Sequence, residues 1–241
     1  MPEPAELWLV RHGQSQGNVV RERPRVDQQE TLDIADRDMD VPLSELGVEQ
    51  AAALGRWLAG QSAMPDVVVA SPYVRAAQPA RGICAAADLG LKVHLDERLR
   101  ERELGILDLL TWHGVRVRFP GEARRRERLG KFYHRPPGGE SWVDVALRLR
   151  SLRDSIAREH EGQRVMIVSH EVPILIMRYL VEDLTEHEVL AFSGSIPNCS
   201  LTRYLFDAAG HPHADLLGWW APLTDEGVEV TEAPERPVAP R

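Results

Sequence analysis

The chain of 241 residues is 43% hydrophobic, 27% charged and 6% aromatic, enough apolar material for a folded core and too much for a disordered chain. Its 29 basic residues face 37 acidic ones, a formal charge of -8, which argues against an extended polyanion such as nucleic acid as partner. Only Lys92 and Lys131 are lysines. Codon bias is the simpler cause of the overall arginine excess, but arginine is also the better residue for holding an oxyanion through paired donors. Cys84 and Cys199 lack CxxC spacing, so neither a disulfide framework nor a Cys-based zinc site is indicated, and a reducing compartment fits. Residues 1–6 are acidic and proline-broken, unlike a secretory signal, and the longest apolar runs, 67–70 and 172–177, fall far short of the about 20 residues that span a membrane. The expectation is a soluble, cytoplasmic protein.

In chain order, residues 7–10 form a continuous apolar run, as expected of a strand covered on both faces. Ser44 then caps a helix carrying Leu46, Ala51, Leu54 and Leu58 at helical spacing. A second apolar run, 67–70, is followed by Ser71-Pro72, read as a helix start with Ser as cap and Pro at the first position. Pro79 falls inside that helix, where it removes a hydrogen bond and is expected to kink it. Residues 91–95 suggest a short strand. Val145, Leu149, Leu152 and Ile156 mark another helix, 165–168 a third buried strand, and 201–206 a further one. This alternation predicts an α/β fold with a mostly parallel central sheet flanked by helices.

Two segments interrupt the pattern. Residues 111–135 hold eight basic residues (Arg116, Arg118, Arg124, Arg125, Arg126, Arg128, Lys131, Arg135) against Glu122 and Glu127, a local balance of +6. They read as an insertion in a domain of 1–223: either a solvated Arg-rich helix over 123–129, or a basic cap whose charge reversal at Arg124 to Arg126 raises KM for a polyanionic substrate. Trp112, Phe119, Phe132 and Tyr133 interleave with the cations, a pattern that can stack on bases, but one loop in an acidic chain makes too small a footprint for nucleic acid. Residues 224–241, with five acids and three prolines, read as a mobile acidic tail.

Ligands of open parallel sheets gather at the carboxyl ends of the strands. After the first run comes Arg11-His12-Gly13-Gln14-Ser15; after the second, Ser71-Pro72-Tyr73-Val74-Arg75; after the third, Ser169-His170-Glu171. If the strands are neighbours, two histidines and two arginines share one crevice with helix-start amides, a site for phosphate. Each residue alone has an ordinary structural explanation; the set does not. A metal held by His12, His170 and a carboxylate is disfavoured by the two adjacent guanidinium charges.

The ordered set Arg11-His12-Gly13, Asp40-Val41-Pro42-Leu43-Ser44 with Leu46-Gly47, Ser71-Pro72 with Arg75-Ala76, Leu99-Arg100-Glu101 with Gly105, Pro137-Gly138-Gly139-Glu140-Ser141, Val168-Ser169-His170 and Asn198 resembles the histidine phosphatase superfamily, also called phosphoglycerate mutase-like, over roughly residues 7–206. That resemblance implies a phosphoglycerate mutase-like fold, His12 as the nucleophile that becomes a phosphohistidine, Arg11, Arg75 and His170 as the clamp on the phosphoryl oxygens, and Asn18 as an added contact. It makes Glu101 the proton donor and later the base, with Glu103 the competitor; without the family register the two acids are equivalent. Independently, an imidazole attacks phosphorus only when neutral, and fixed positive charge nearby favours the neutral form while stabilising the transition state.

One departure stands out: Glu171 occupies a position where the family commonly has Gly. It reads either as a helix-start carboxylate, favourable at the positive end of the helix dipole, or as a partner for a cation near the substrate phosphate. After Gly13, the Trp-Asn pair and aromatic patch usual in phosphoglycerate mutases are missing; the chain reads Gln16-Gly17-Asn18-Val19-Val20-Arg21. The expectation is therefore a metal-independent phosphomonoester hydrolase without a cofactor, acting on a small phosphorylated metabolite. The alternatives are a cofactor-dependent mutase and a silent regulator that binds a phosphorylated ligand. The substrate and the oligomeric state stay open.

Overall fold

A computed structural model describes residues 3–23 and 25–232. In chain order the elements are β1 (Glu6–Arg11), α1 (Gln16–Glu22), α2 (Glu45–Ala59), β2 (Val67–Ala70), α3 (Val74–Ala86), β3 (Val93–Leu95), α4 (Trp112–Arg118), α5 (Pro120–Tyr133), α6 (Trp142–Glu159), β4 (Arg164–Ser169), α7 (Glu171–Val181), α8 (Glu186–Ala191), β5 (Leu201–Phe206), β6 (Pro212–Trp219) and α9 (Ala221–Asp225). Among the described residues the strands build one six-stranded sheet in the order β3-β2-β4-β1-β5-β6. The first four run parallel, while β5 joins β1 and β6 joins β5 antiparallel. The fold is the expected α/β arrangement with a mostly parallel sheet, and β6 is a strand that the hydrophobic pattern did not reveal, because its half-exposed residues form no continuous apolar run.

The three apolar runs are continuous because both faces of their strands are covered. Leu7, Leu9, Val165 and Ile167 pack under α6 and α7 through Val145, Leu149, Leu152, Ile174 and Leu175. Trp8, Val10, Val68, Met166 and Val168 face the other way, onto Ala51, Leu54 and Leu58 of α2 and Ala80 and Ile83 of α3. Helices thus lie on both faces, and alternate side chains of one strand enter two separate cores.

Three expectations change. Ser71-Pro72 does not start a helix: α3 begins at Val74 behind Tyr73, which makes no side-chain cap, and the Ser71 hydroxyl meets both the Tyr73 amide and His170 Nε2. The helix then continues through Pro79 to Ala86. Within 111–135, α4 and α5 form a helical pair in which Ala123, Arg126 and Phe132 are buried, so Arg126 is no surface cation; its guanidinium lies 5.9 Å from the Trp112 ring centre. Finally, residues 224–232 do not form a free tail. Leu223 is fully buried, Val228 and Val230 pack on the core of α2 and α3, and Arg56 Nε donates to Glu226 at 2.7 Å. The acids face out while alternating valines supply enough apolar area to dock the segment. The remainder of the expected tail, 233–241, lies outside the described residues.

Candidate active site

The order β2-β4-β1 sets the carboxyl ends of the three apolar strands side by side, with Arg11 in register with Ser169 and Ala70 with Val168. The residues just past each strand end therefore converge. The His12 amide donates to the Ser169 carbonyl at 2.9 Å, and the Ser71 amide donates to the Val168 carbonyl at 3.0 Å. The rings of His12 and His170 lie edge to face with centres 5.1 Å apart. Gly13 makes the turn after His12 possible, since a Cβ there would collide with the backbone of Gly47 at the start of α2. Asn198 holds the turn from the other side, donating from Nδ2 to the His12 carbonyl at 3.0 Å.

The tautomer of His12 is set by its partner. His12 Nδ1 lies 2.7 Å from the Gly13 carbonyl, an acceptor only, so Nδ1 carries the hydrogen and the neutral ring keeps its lone pair on Nε2. Burial, reinforced by the Arg75 and Arg11 charges, holds the His12 pKa well below its ordinary value. His170 is held low by burial and then by Arg75 and His12. Its Nε2 sits 2.8 Å from Ser71 Oγ, and its Nδ1 is buried without a hydrogen-bond partner among the described residues.

Both predicted arginines are buried here. Arg11 donates from Nη1 to the Ile196 carbonyl and lies 3.7 Å from Glu171 Oε2. Arg75 directs Nη1 to the Asp38 carbonyl and Nη2 to Asp38 Oδ2, the latter at 2.9 Å, with its guanidinium 5.1 Å from the Tyr73 ring centre. Glu171 is the first residue of α7, and its Oε1 accepts the Gly194 amide at 2.5 Å, so the helix-start reading holds and the carboxylate also ties Arg11 to the 193–196 turn. Asn18 Oδ1 accepts from the Ser15 amide at 2.9 Å in a capping box for α1, a structural use compatible with its place on the cavity wall.

The loop carrying the candidate acids is fastened by the Gly-Gly-Glu motif. Glu140 accepts from Arg100 and Arg148 at 2.8 and 2.9 Å and from the Glu103 amide at 3.2 Å, while its own amide donates to the Glu103 carbonyl at 2.9 Å. Gly105 turns this loop at φ 54°, and a Cβ there would run into the Pro137 carbonyl, so both a left-handed backbone and a close approach require glycine. Glu101 Oε1 accepts from the Arg102 amide at 2.8 Å, whereas Glu103 Oε1 accepts the Tyr73 hydroxyl at 2.6 Å.

Arg11, His12, Asn18, Arg75, Glu101, Glu103 and Glu171 all line one cavity of about 130 Å³. Arg21, Asp38 and Asp108 also line it, whereas among the described residues none of 111–135 does, so the basic segment is not part of this wall. Sequence reading assigns no role to Asp38 or Tyr73, and names Ser71 in the crevice loop and the family motif without its contact to His170; Asp38 sits in an acid-rich stretch with nothing to single it out. Among the described residues no group of three or more His, Cys, Asp or Glu side chains is arranged to hold a metal ion, and no helix is long and apolar enough to cross a membrane.

The central strand ends of the parallel sheet set His12, Arg11 and Arg75 on one small cavity, with the His170 ring buried behind His12 rather than on the cavity wall, an arrangement suited to holding an oxyanion. The chain belongs to the histidine phosphatase superfamily, branch 1, whose family model matches residues 7–218. It is 32% identical over 206 residues to the bifunctional protein Rv2228c of Mycobacterium tuberculosis, an alignment covering 86% of this chain and 52% of that one. The chain thus spans about half the length of this relative. It is 31% identical over 186 residues to a 2,3-bisphosphoglycerate-dependent phosphoglycerate mutase of Methylorubrum populi, covering 74% of this chain and 80% of that one. Among solved structures it superposes on mycobacterial glucosyl-3-phosphoglycerate phosphatase Rv2419c in complex with inorganic phosphate, with a TM-score of 0.69 at 28% identity over 90% of this chain and 99% of the other.

Proposed function

We propose that this protein hydrolyses a small phosphomonoester through a phosphohistidine at His12, with no metal needed. The observation that carries the reading is the His12 ring: Nδ1 bound to the Gly13 carbonyl, Nε2 left as the lone-pair nitrogen, and a pKa held low enough to keep it neutral. Nε2 attacks phosphorus, the bond to the alcohol oxygen breaks, and that oxygen takes the proton of the Glu101 carboxyl group. The Glu101 carboxylate then accepts a proton from water as its oxygen attacks phosphorus, and the P–N bond breaks to restore neutral His12. Arg11 and Arg75 supply permanent positive charge to the phosphoryl oxygens. His170 Nε2 lies 2.8 Å from Ser71 Oγ; in the tautomer in which Ser71 donates to Nε2, His170 Nδ1–H is a buried donor for the same oxygens.

Glu101 takes the acid's role on the family register, while Glu103 holds the Tyr73 hydroxyl through Oε1. The likeness to the Rv2419c phosphatase, solved with phosphate, supports hydrolysis; the likeness to 2,3-bisphosphoglycerate-dependent phosphoglycerate mutases, that of Methylorubrum among them, favours transfer between hydroxyls. Single-turnover trapping is expected to yield an acid-labile, base-stable phosphoprotein that His12→Ala abolishes together with phosphate release, a loss of about 10³-fold or more, and chelator is expected to leave the rate unchanged. Glu101→Gln is expected to slow an alkyl ester more than a p-nitrophenyl ester, whose leaving group needs no proton. Full activity in His12→Ala sinks the mechanism, and isomerised rather than free phosphate from bisphosphoglycerate with monophosphoglycerate replaces hydrolysis by mutase chemistry.

A further inference from the structure

The clamp residues make up only part of the cavity wall, and the charge of the whole wall constrains the alcohol that the phosphate is attached to. Four guanidiniums line the cavity, from Arg11, Arg21, Arg75 and Arg102, against five carboxylates, from Asp38, Glu101, Glu103, Asp108 and Glu171. Three of the arginines are committed. Arg11 and Arg75 belong to the clamp and are matched by Glu171 and Asp38. Arg102 is buried and donates from Nε to the Glu140 carbonyl at 2.7 Å and from Nη2 to the His134 carbonyl at 3.1 Å, both backbone groups of the loop scaffold. For the rest of the wall this leaves Arg21 together with Asp38, Glu103 and Asp108, with Ile34, Val41 and Leu104 as the apolar filling; Glu103 is also met from behind by Arg100, whose Nε lies 3.9 Å from its Oε1.

The Arg75–Asp38 pair makes the balance depend on occupancy. A phosphate that draws the Arg75 guanidinium takes it from Asp38, whose carboxylate then needs another donor within the same cavity. Burial, with the negative charges of Asp38 and Glu103 nearby, pushes the Asp108 carboxyl up from its ordinary value. A second carboxylate or phosphate on the substrate would enter this field with Arg21 as the guanidinium on the wall to meet it, whereas hydroxyl or ammonium donors would satisfy Asp38 as it loses Arg75 and add to the donors that Glu103 and Asp108 already have.

We propose that the leaving alcohol carries no second anionic group and presents hydrogen-bond donors, as a polyhydroxylated or amine-bearing alcohol does, with Asp38, Glu103 and Asp108 selecting it. This rests on the reading of His12 as the phosphoryl acceptor, and it separates the chain by chemistry from the phosphoglycerate-type substrates in its relatives' names.

The test is a matched set of small phosphomonoesters on the unaltered protein: sn-glycerol 3-phosphate, 3-phosphoglycerate and phosphoethanolamine, with p-nitrophenyl phosphate as reference. We expect kcat/KM for glycerol phosphate and phosphoethanolamine to exceed that for 3-phosphoglycerate at least about tenfold, the scale of a partly screened charge contact. Asp108→Asn is expected to narrow that ratio by about threefold or more. If 3-phosphoglycerate is hydrolysed as well as the other two, the substrate assignment is overturned while the phosphatase reading stands. If none of the esters is hydrolysed, the phosphatase reading fails, and calorimetric affinities for the same esters decide the charge preference alone: the same ranking upholds it, and equal or tighter binding of 3-phosphoglycerate overturns it.

Discussion

Arginines in this molecule fall into two regions with opposite fates. Arg11 ends β1, Arg75 lies in the first turn of α3 behind β2, and they are 3% and 6% exposed; Arg124, Arg125 and Arg128 ride the outer face of α5 in water. The second region has the greater density of charge, yet its cations line no part of the cavity among the described residues. Out of water, a guanidinium beside a neutral imidazole acts at low effective dielectric and depresses the ring's pKa; on the helix surface the same group is solvated and screened. Local charge density is therefore a poor guide to anion binding, and the position of the strand ends is a good one.

The contrast is sharpened most strongly by Arg75→Ala, which is expected to lower kcat/KM for a phosphomonoester by about 10² to 10³-fold, with Arg75→Lys recovering only part because a single ammonium cannot reproduce the paired donors. Steady-state kinetics on both variants decides it.

An intermediate effect is expected with pH. Both histidine rings have folded pKa values below the ordinary 6.5. Between the folded and unfolded values the unfolded chain binds more protons, so stability rises with pH there: their contribution is complete above about 6.5 and is lost as pH falls through the folded values. Thermal unfolding is expected to shift to lower temperature on acidification below 6.5, by up to about 1.4 kcal/mol per ring per pH unit, and His170→Gln is expected to make the decline shallower. The acid limb of kcat/KM, where it reports His12, is expected to lie below 6.5 as well; a limb at or above it contradicts a buried, neutral nucleophile.

The smallest effect belongs to the surface. Charge reversal of Arg124, Arg125 and Arg128 together is expected to change KM for a phosphomonoester by less than about twofold, since exposed charges are screened. A several-fold rise in KM breaks the contrast and restores the cap.

Much of the inner site was legible because strand and chemistry coincide in the sequence: a continuous apolar run followed at once by Arg11-His12, by Ser71 with Arg75, or by His170 carries both its burial and its position. The fold class came from the same runs. The hidden part depends on pairing across long separations. Asp38 reaches Arg75 across 37 residues and Tyr73 reaches Glu103 across 30, with no local pattern to announce either. The segment 224–232 misled for a related reason: its composition is acidic, but Val228, Val230 and Thr231 alternate with the acids, and partners distant in the chain decide whether so short a run docks.

Thr231 gives that docking a consequence. Its hydroxyl donates to Asn198 Oδ1 at 3.0 Å and accepts from Gln50 Nε2 at 3.0 Å, and Asn198 in turn holds the His12 carbonyl. Binding equilibria coupled through one chain of contacts are reciprocal. An anion that favours the ordered His12 turn therefore favours the seated Thr231 segment by the same factor, and amide exchange at 228–231, remote from phosphate in sequence, becomes a readout of whether the crevice is filled.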